Sequence, residues 1–132
     1  MADPINLIGN SAIEQGKTYR QTILWPGDVS DHIPSAICRD NYKERGGAEV
    51  FEFSFLPLTY PVANSQDVDC TAIVLTLTDE ITTEIPYTKY QGDPARLKIP
   101  SCYVWDLLLE NPDDGSVIGT EAGFVQVKPL VT

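Results

Sequence analysis

Strict alternation of apolar and polar residues is the feature that most constrains the fold of this chain. In residues 50–55, Phe51, Phe53 and Phe55 alternate with Glu52 and Ser54. A side-chain period of two places the phenylalanines on one face of a strand and the polar residues on the other. The segment therefore predicts a half-buried antiparallel strand.

The same alternation returns in two longer segments, residues 71–77 and 103–109. In the first, Ile73 and Leu75 point the same way and are expected to face inward. In the second, Trp105 is expected to be a core aromatic whose indole N–H is bonded locally. Together with residues 50–55, these segments are predicted to form the centre of the core.

Four weaker strand patterns are each bounded by Gly, Pro, Asn or Asp, which favour turns. They are residues 18–25, 35–39, 116–119 and 123–128. About seven strands result, which predicts an all-β, immunoglobulin-like antiparallel β-sandwich. We expect residues 1–132 to form a single domain, with residues 1–10 as an extended N-terminal arm.

Two local features predict short structures between strands. Residues 110–116 contain Pro112 and Gly115, which suit a type I turn followed by a bulge and predict a hairpin. Thr78 or Asp79 is expected to cap one helical turn that ends at Glu84, since acidic residues favour the positive end of a helix.

Long connections make up over a third of the chain, at residues 26–34, 40–49, 57–69 and 86–101. One interpretation is that they cover the edges of the sheets. The other is that they carry contacts to partner proteins, for which tyrosine and tryptophan are well suited. The candidate partner-contact residues are Trp25, Tyr60, Tyr87, Tyr90 and Arg96. Trp25, at a strand end, is expected to be partly exposed.

The charge balance excludes two classes of partner. Nine Lys and Arg against nineteen Asp and Glu give a net charge of −10, which repels nucleic acid and anionic membranes. The beginning Met1-Ala2-Asp3-Pro4 has no secretory signal pattern, and no apolar run reaches 18 residues. We therefore expect a chain made in a cytoplasm that binds neither nucleic acid nor membrane.

No pattern of catalytic or cofactor-binding residues emerges. The sequence contains none of the usual nucleophile, phosphate-loop or dinucleotide motifs. Its single histidine, His32, lies in a polar turn and is expected to be solvated, and the carboxylates of that turn lack the spacing of a calcium loop. We predict a protein that is not an enzyme and takes no metal or cofactor.

Three cysteines, Cys38, Cys70 and Cys102, are about 32 residues apart with no paired motif. An odd number argues against a disulfide scaffold. They are predicted to be buried, reduced and inert, with one fortuitous disulfide as the alternative.

A set of short motifs runs along nearly the whole chain. A Gly-x-Thr-aromatic entry into the first long strand is followed by Trp25, and a later strand ends in Arg39. The remaining motifs are a Leu-x-Leu-Thr strand at residues 73–78, the segment 103–107, a Pro-Asp-x-Gly turn, and Gly123, Val125, Val127, Val131 and Thr132.

These motifs resemble those of the small immunoglobulin-like structural proteins of bacteriophage virions. The resemblance implies a virion component, without catalysis, assembled in many copies in the bacterial cytoplasm through contacts with other virion proteins. A tail or baseplate adaptor, or a fibre-attachment protein, is the favoured position. A capsid cement or decoration protein is the alternative. From the residues, a carbohydrate-binding sandwich that uses Trp25 and loop tyrosines, and a hydrolase that uses Asp67 or Asp69, are weaker alternatives.

Overall fold

Two β-sheets pack against each other in the structure, a computed structural model that describes residues 3–86 and 103–129. The strands in chain order are β1 (Ile13–Glu14), β2 (Tyr19–Pro26), β3 (Ile33–Arg39), β4 (Glu49–Glu52), β5 (Ser54–Phe55), β6 (Thr59–Ala63), β7 (Asp69–Leu77), β8 (Tyr103–Glu110), β9 (Val117–Gly119), β10 (Gly123–Val125) and β11 (Val127–Lys128). One helix, α1 (Asp79–Glu84), follows β7. The prediction of an all-β sandwich is confirmed.

The first sheet has five strands, with β10, β8, β3 and β4 side by side and β9 also paired with β8. The second has four, with β2 on one side of β7 and both β5 and β6 on the other. Every pairing within these two sheets is antiparallel. The longest register, between β2 and β7, runs from Tyr19 opposite Leu77 to Pro26 opposite Cys70.

The core lies between the sheets and follows the predicted alternation. Ile73 and Leu75 of β7 are buried and belong to the same apolar cluster as Trp105 and Leu107 of β8. Phe53 lies at the centre of an aromatic group, with its ring centroid 5.5 Å from Trp105, 5.1 Å from Phe51 and 6.1 Å from Tyr19. These edge-on and tilted contacts hold residues of both sheets together.

The prediction of one strand over residues 50–55 is wrong in one respect. The chain leaves the first sheet after β4 and joins the second at β5, and Phe53 is the residue between them. Its backbone N–H donates to the carbonyl of Ala36 at 3.0 Å. The inner faces of both sheets require the same alternation, so the pattern alone did not reveal the crossing.

The predicted connection at residues 57–69 is also corrected, because it contains β6. Pro61 lies within this strand. β6 pairs with β7 through a shifted register, and among residues 3–86 and 103–129 it has no other strand neighbour. An edge strand with few ladder bonds accommodates proline, since its outer side needs no N–H donor.

The N-terminal arm predicted for residues 1–10 is not a free extension over the part that the structure describes. Leu7 is buried and forms a parallel bridge with Val125. Its N–H donates to the Phe124 carbonyl at 2.8 Å, and its own carbonyl accepts from Gln126 at 2.9 Å. Further along, β1 pairs in parallel with β11. The arm therefore completes the core.

The helical turn and the hairpin are confirmed. Thr78 precedes α1, and its side-chain oxygen accepts the N–H of Ile81 at 3.3 Å, which is the predicted cap. Between β8 and β9, Asn111 donates its N–H to Ser116 at 2.8 Å, and Gly115 has φ of 73°, a value that glycine adopts without strain.

Three smaller predictions are refined. The indole N–H of Trp105 donates to the distant Ile5 carbonyl at 2.8 Å, so the expectation of a local partner was wrong. The predicted strand at residues 123–128 is interrupted at Gln126, between β10 and β11. Cys38 and Cys70 are buried free thiols as expected, and Cys102 lies outside the described residues.

Candidate functional site

The outer face of the five-stranded sheet presents the side chains that alternate with the buried ones. In β8, Trp105 and Leu107 point into the core, so Asp106 and Leu108 point outward. Residues directly opposite each other in paired strands share a face. Asp106 lies opposite Ile37, and Leu108 lies opposite Ser35 on one side and Gly119 on the other. We call this surface the outer face of the first sheet.

Four large apolar side chains are exposed on this face. Val117 is 55% exposed, Ile33 53%, Phe124 46% and Leu108 39%. They come from four different strands, β9, β3, β10 and β8. Single exposed apolar residues are ordinary, whereas several on one face of one sheet make that face a candidate binding surface.

A shallow pocket of about 190 Å³ opens on the same face. Ile37 and Leu108 contribute apolar walls, Arg39 and Asp106 contribute charges, and Tyr42 lies at its border. Pockets for small molecules typically measure about 300–1,000 Å³. This pocket is smaller, and its size suits a single side chain of a partner better than a substrate.

Arg39 and Asp106 are diagonal neighbours across β3 and β8, since Asp106 pairs with Ile37, two residues before Arg39. The Arg39 guanidinium donates to the Gly47 carbonyl at 3.2 Å, which holds it at the end of the strand. Burial raises the pKa of the Asp106 carboxyl, and the positive charges of Arg39 and Lys43 oppose that rise. Asp106 is therefore a partly desolvated carboxyl on the outer face of the first sheet.

The outer face of the second sheet is different. Arg20, Thr22 and Leu24 are the exposed outward residues of β2, and Thr76 of β7 is half-buried beside them. Leu24, at 38% exposure, matches Leu108 in residue type and accessibility. It lies opposite Ala72 on the other sheet and so provides a matched comparison for Leu108.

The structure places two of the five predicted partner-contact residues. Trp25 is half-buried at the end of β2 and packs against the core, in agreement with its expected partial exposure. Tyr60 is exposed on β6, at the far edge of the same sheet. Neither lies on the outer face of the first sheet. Tyr87, Tyr90 and Arg96 lie outside the described residues.

The polar candidates from the sequence lie in turns. His32 is not the solvated side chain that was expected, because its side chain is only 15% exposed and its Nδ1 lies 2.8 Å from the carboxylate of Asp31. Asp67 lies in the turn before β7, and Asp113 in the hairpin turn. Within residues 3–86 and 103–129, no three His, Cys, Asp or Glu side chains are grouped so as to hold a metal ion.

No helix among the described residues is long and apolar enough to cross a bilayer.

Sequence reasoning did not identify the outer face of the first sheet. A signal was present in residues 107–109, three consecutive leucines, because one of them must point away from the core in a strand. Phe124 between Gly123 and Val125 was a second such signal. Both required knowledge of which sheet face is covered, and that information comes only from the fold.

Comparison with known family models and with curated proteins gives no match for this chain.

Proposed function

We propose that this chain is a non-enzymatic structural protein of a bacteriophage virion that binds other virion proteins through the outer face of its first sheet. The favoured position is a tail, baseplate or fibre-attachment adaptor, present in multiple copies. The sequence resemblance supports the virion context, and the exposed apolar face supports the binding role.

The strand order supports an immunoglobulin-like arrangement. In such sandwiches, the second, fifth and fourth strands form one sheet, and the third, sixth and seventh form the other, which an additional strand can extend. Here β2, β7 and β6 correspond to the first set, and β3, β8 and β10 to the second, extended by β4. Sandwiches of this architecture serve as binding modules with many unrelated partners, so the binding role is argued from the surface alone.

One observation carries the proposal: Ile33, Leu108, Val117 and Phe124 are exposed on one face, and Leu108 also lines a pocket the size of one side chain on that face. Protein interfaces bury apolar anchors of one partner in small pockets of the other, with charges at the border. The outer face of the first sheet has this composition.

Asp106 adds support from stability. Its raised pKa means that the ionised carboxylate is less favourable in the folded chain than in water. Residues that reduce stability in this way are commonly retained where they contact a ligand or partner. A donor on the partner, such as an amide or a guanidinium, would satisfy the Asp106 carboxylate on binding.

The test begins with virions produced from the genome that encodes the chain. The chain should be present in purified particles, detected by mass spectrometry. The Leu108→Asp and Phe124→Asp variants should fold, because both side chains point to solvent, and should be incorporated at least about tenfold less, since a buried unpaired carboxylate opposes association.

Leu24→Asp is the matched control, with the same change at the same exposure on the other sheet. It should be incorporated as the unmodified chain is. If purified particles lacked the chain altogether, the virion role would be wrong. If Leu24→Asp and Leu108→Asp reduced incorporation equally, the binding role of this face would be wrong.

Imaging of particles with a labelled chain separates the two virion positions. Label at the tail tip or fibre base would support the adaptor, and label over the capsid surface would instead support the cement protein.

A further inference from the structure

Charge is distributed unevenly between the two ends of the sandwich. All six Lys and Arg of the described residues lie at the end where β2 begins and where β3 and β11 finish. They are Lys17, Arg20, Arg39, Lys43, Arg45 and Lys128. The same end also holds seven carboxylates, three of them in α1, which begins after Leu77 opposite Tyr19. We call it the basic end for its cations, and the excess of positive charge is confined to the pocket described next.

The opposite end is acidic. Its turns are residues 27–32, 64–68 and 111–116, which together contain five carboxylates and no Lys or Arg. Two of these turns are close in space, because Ile33 and Glu110, the strand residues next to them, pair directly across β3 and β8. The third turn lies beside the first, since Gly27 donates its N–H to the Asp69 carbonyl at 3.2 Å. These three turns form the acidic end.

A polar pocket of about 280 Å³ lies at the basic end. Lys17, Arg20 and Lys128 line it, with Glu14 as its one carboxylate. Lys17 pairs with Glu14 at 2.9 Å. Among the described residues, Arg20 and Lys128 have no ion-pair partner. Glu14 also lies close enough to Lys128 to interact with its charge. The lining of the pocket therefore carries three cations against one carboxylate, in a chain whose net charge is −10.

The acidic end cannot neutralise these cations within one molecule. β2 joins the two ends and is 8 residues long, which spans roughly 25 Å at the usual rise of a strand. Electrostatic interactions in water at physiological ionic strength decay over about 8 Å. The two complementary surfaces can meet only when they belong to different molecules.

We propose that the basic pocket binds the acidic end of a second copy of this chain, so that copies associate head to tail. The ligand class is a carboxylate presented by the turn residues 27–32 and 111–116. Such a contact joins two different surfaces, and it generates a ring if the rotation closes and a filament if it does not. The inference goes beyond the binding role of the outer face of the first sheet and does not depend on it.

The repulsion between two chains of like net charge does not prevent this contact. Screening reduces the long-range repulsion at physiological ionic strength, whereas charges in direct contact are screened less. The association should therefore be weak, local and sensitive to salt.

The test measures self-association of the full chain by sedimentation velocity over a concentration series. In about 0.15 M NaCl, the weight-average mass should rise with concentration, and in about 0.6 M NaCl it should fall back towards the monomer. Two double variants reverse the charges of one surface each. The basic-pocket variant carries Arg20→Glu and Lys128→Glu, and the acidic-end variant carries Asp31→Lys and Asp113→Lys. Each variant alone should remain monomeric. All four side chains are on the surface, so both variants should fold.

An equimolar mixture of the two variants should associate again. The pocket of the basic-pocket variant is now acidic and can bind the turns of the acidic-end variant, which are now basic. The native pocket of the acidic-end variant can likewise bind the native acidic turns of the basic-pocket variant. Restored association requires the two surfaces to contact each other directly, which a general effect of charge would not produce.

Two controls match the net charge. Glu52→Lys with Glu121→Lys gives the same net charge as the acidic-end variant, since each substitution adds two units and raises −10 to −6. Lys43→Glu with Arg45→Glu gives −14, as the basic-pocket variant does. Both controls should associate as the unmodified chain does.

Three outcomes would overturn the inference. They are a monomeric unmodified chain at concentrations up to about 1 mM, a mixture of the two variants that stays monomeric, and controls that lose association as the variants do.

Discussion

Trp105 of β8 donates its indole N–H to the backbone carbonyl of Ile5 at 2.8 Å, across 100 positions of the chain. The buried ring packs against Phe53, while its N–H holds the N-terminal segment alongside β10. Leu7 then pairs with Val125, and β1 pairs with β11. The first residues of the described chain are thus held by the last strands.

Trp105→Phe should destabilise the fold by about 1–3 kcal/mol, because it removes the hydrogen bond to Ile5 and part of a buried ring. Urea unfolding followed by circular dichroism measures the change. Trp25→Phe is the control, since that ring is half-buried at a strand end, and its effect should be clearly smaller. Equal losses for the two variants would contradict the importance of the Ile5 contact.

Thr71 joins the loop before β3 to the second sheet. Its buried side-chain oxygen accepts the N–H of Val29 at 2.9 Å and donates to the carbonyl of Gly27 at 2.8 Å. Thr71→Val keeps the shape but leaves both backbone groups without this partner, and should lower stability by about 2–4 kcal/mol. Thr76→Val, at a half-buried outward position of the same strand, should change stability by less than about 1 kcal/mol. A neutral Thr71→Val would show that the loop is held by other contacts.

The fold was predictable where the alternation within one strand determines which side chains are buried. It was not predictable where the assignment of a residue depends on how the two sheets are connected. The alternation in residues 71–77 placed Ile73 and Leu75 correctly. The crossing at Phe53 was not predictable, because a residue between two sheets has the same apolar surroundings as one within a sheet. Leu108 was missed as a contact residue because apolar residues in strands are buried by default.

Cys38 and Cys70 should be unreactive in the folded protein. Both are buried, and burial raises the pKa of the Cys38 thiol, which reduces the reactive thiolate. In a Cys102→Ser variant, a thiol reagent such as DTNB should label neither cysteine at pH 8 without denaturant and both after unfolding. Rapid labelling of either thiol in the folded variant would contradict its burial in the core.

Asp106 should give the stability a pH dependence of defined sign. Because the folded pKa is raised, the folded state binds the proton more tightly than the unfolded state does. Its contribution to stability is fully present below the unfolded pKa of a carboxyl and is lost as the pH rises through the folded value. Asp106→Asn has no carboxyl to ionise, so this loss of stability with rising pH does not occur in the variant.

The melting temperature of Asp106→Asn should therefore exceed that of the unmodified chain at pH 7, and the difference should shrink as the pH falls below the ordinary range of a carboxyl. Asp113→Asn, in the exposed hairpin turn, provides the control and should show no comparable trend. A melting temperature lowered by Asp106→Asn at pH 7 would mean that Arg39 and Lys43 more than compensate the carboxylate.

Solvent access to the two leucines Leu108 and Leu24 in assembled particles tests the central claim most directly. Single substitutions Leu108→Cys and Leu24→Cys in a Cys102→Ser background place a thiol on the outer face of each sheet, at 39% and 38% exposure in the isolated chain. Both should react with a maleimide in the free protein. In purified particles, labelling at position 108 should be lost while labelling at position 24 persists; equal labelling at both positions in the particle would contradict the binding role of the outer face of the first sheet.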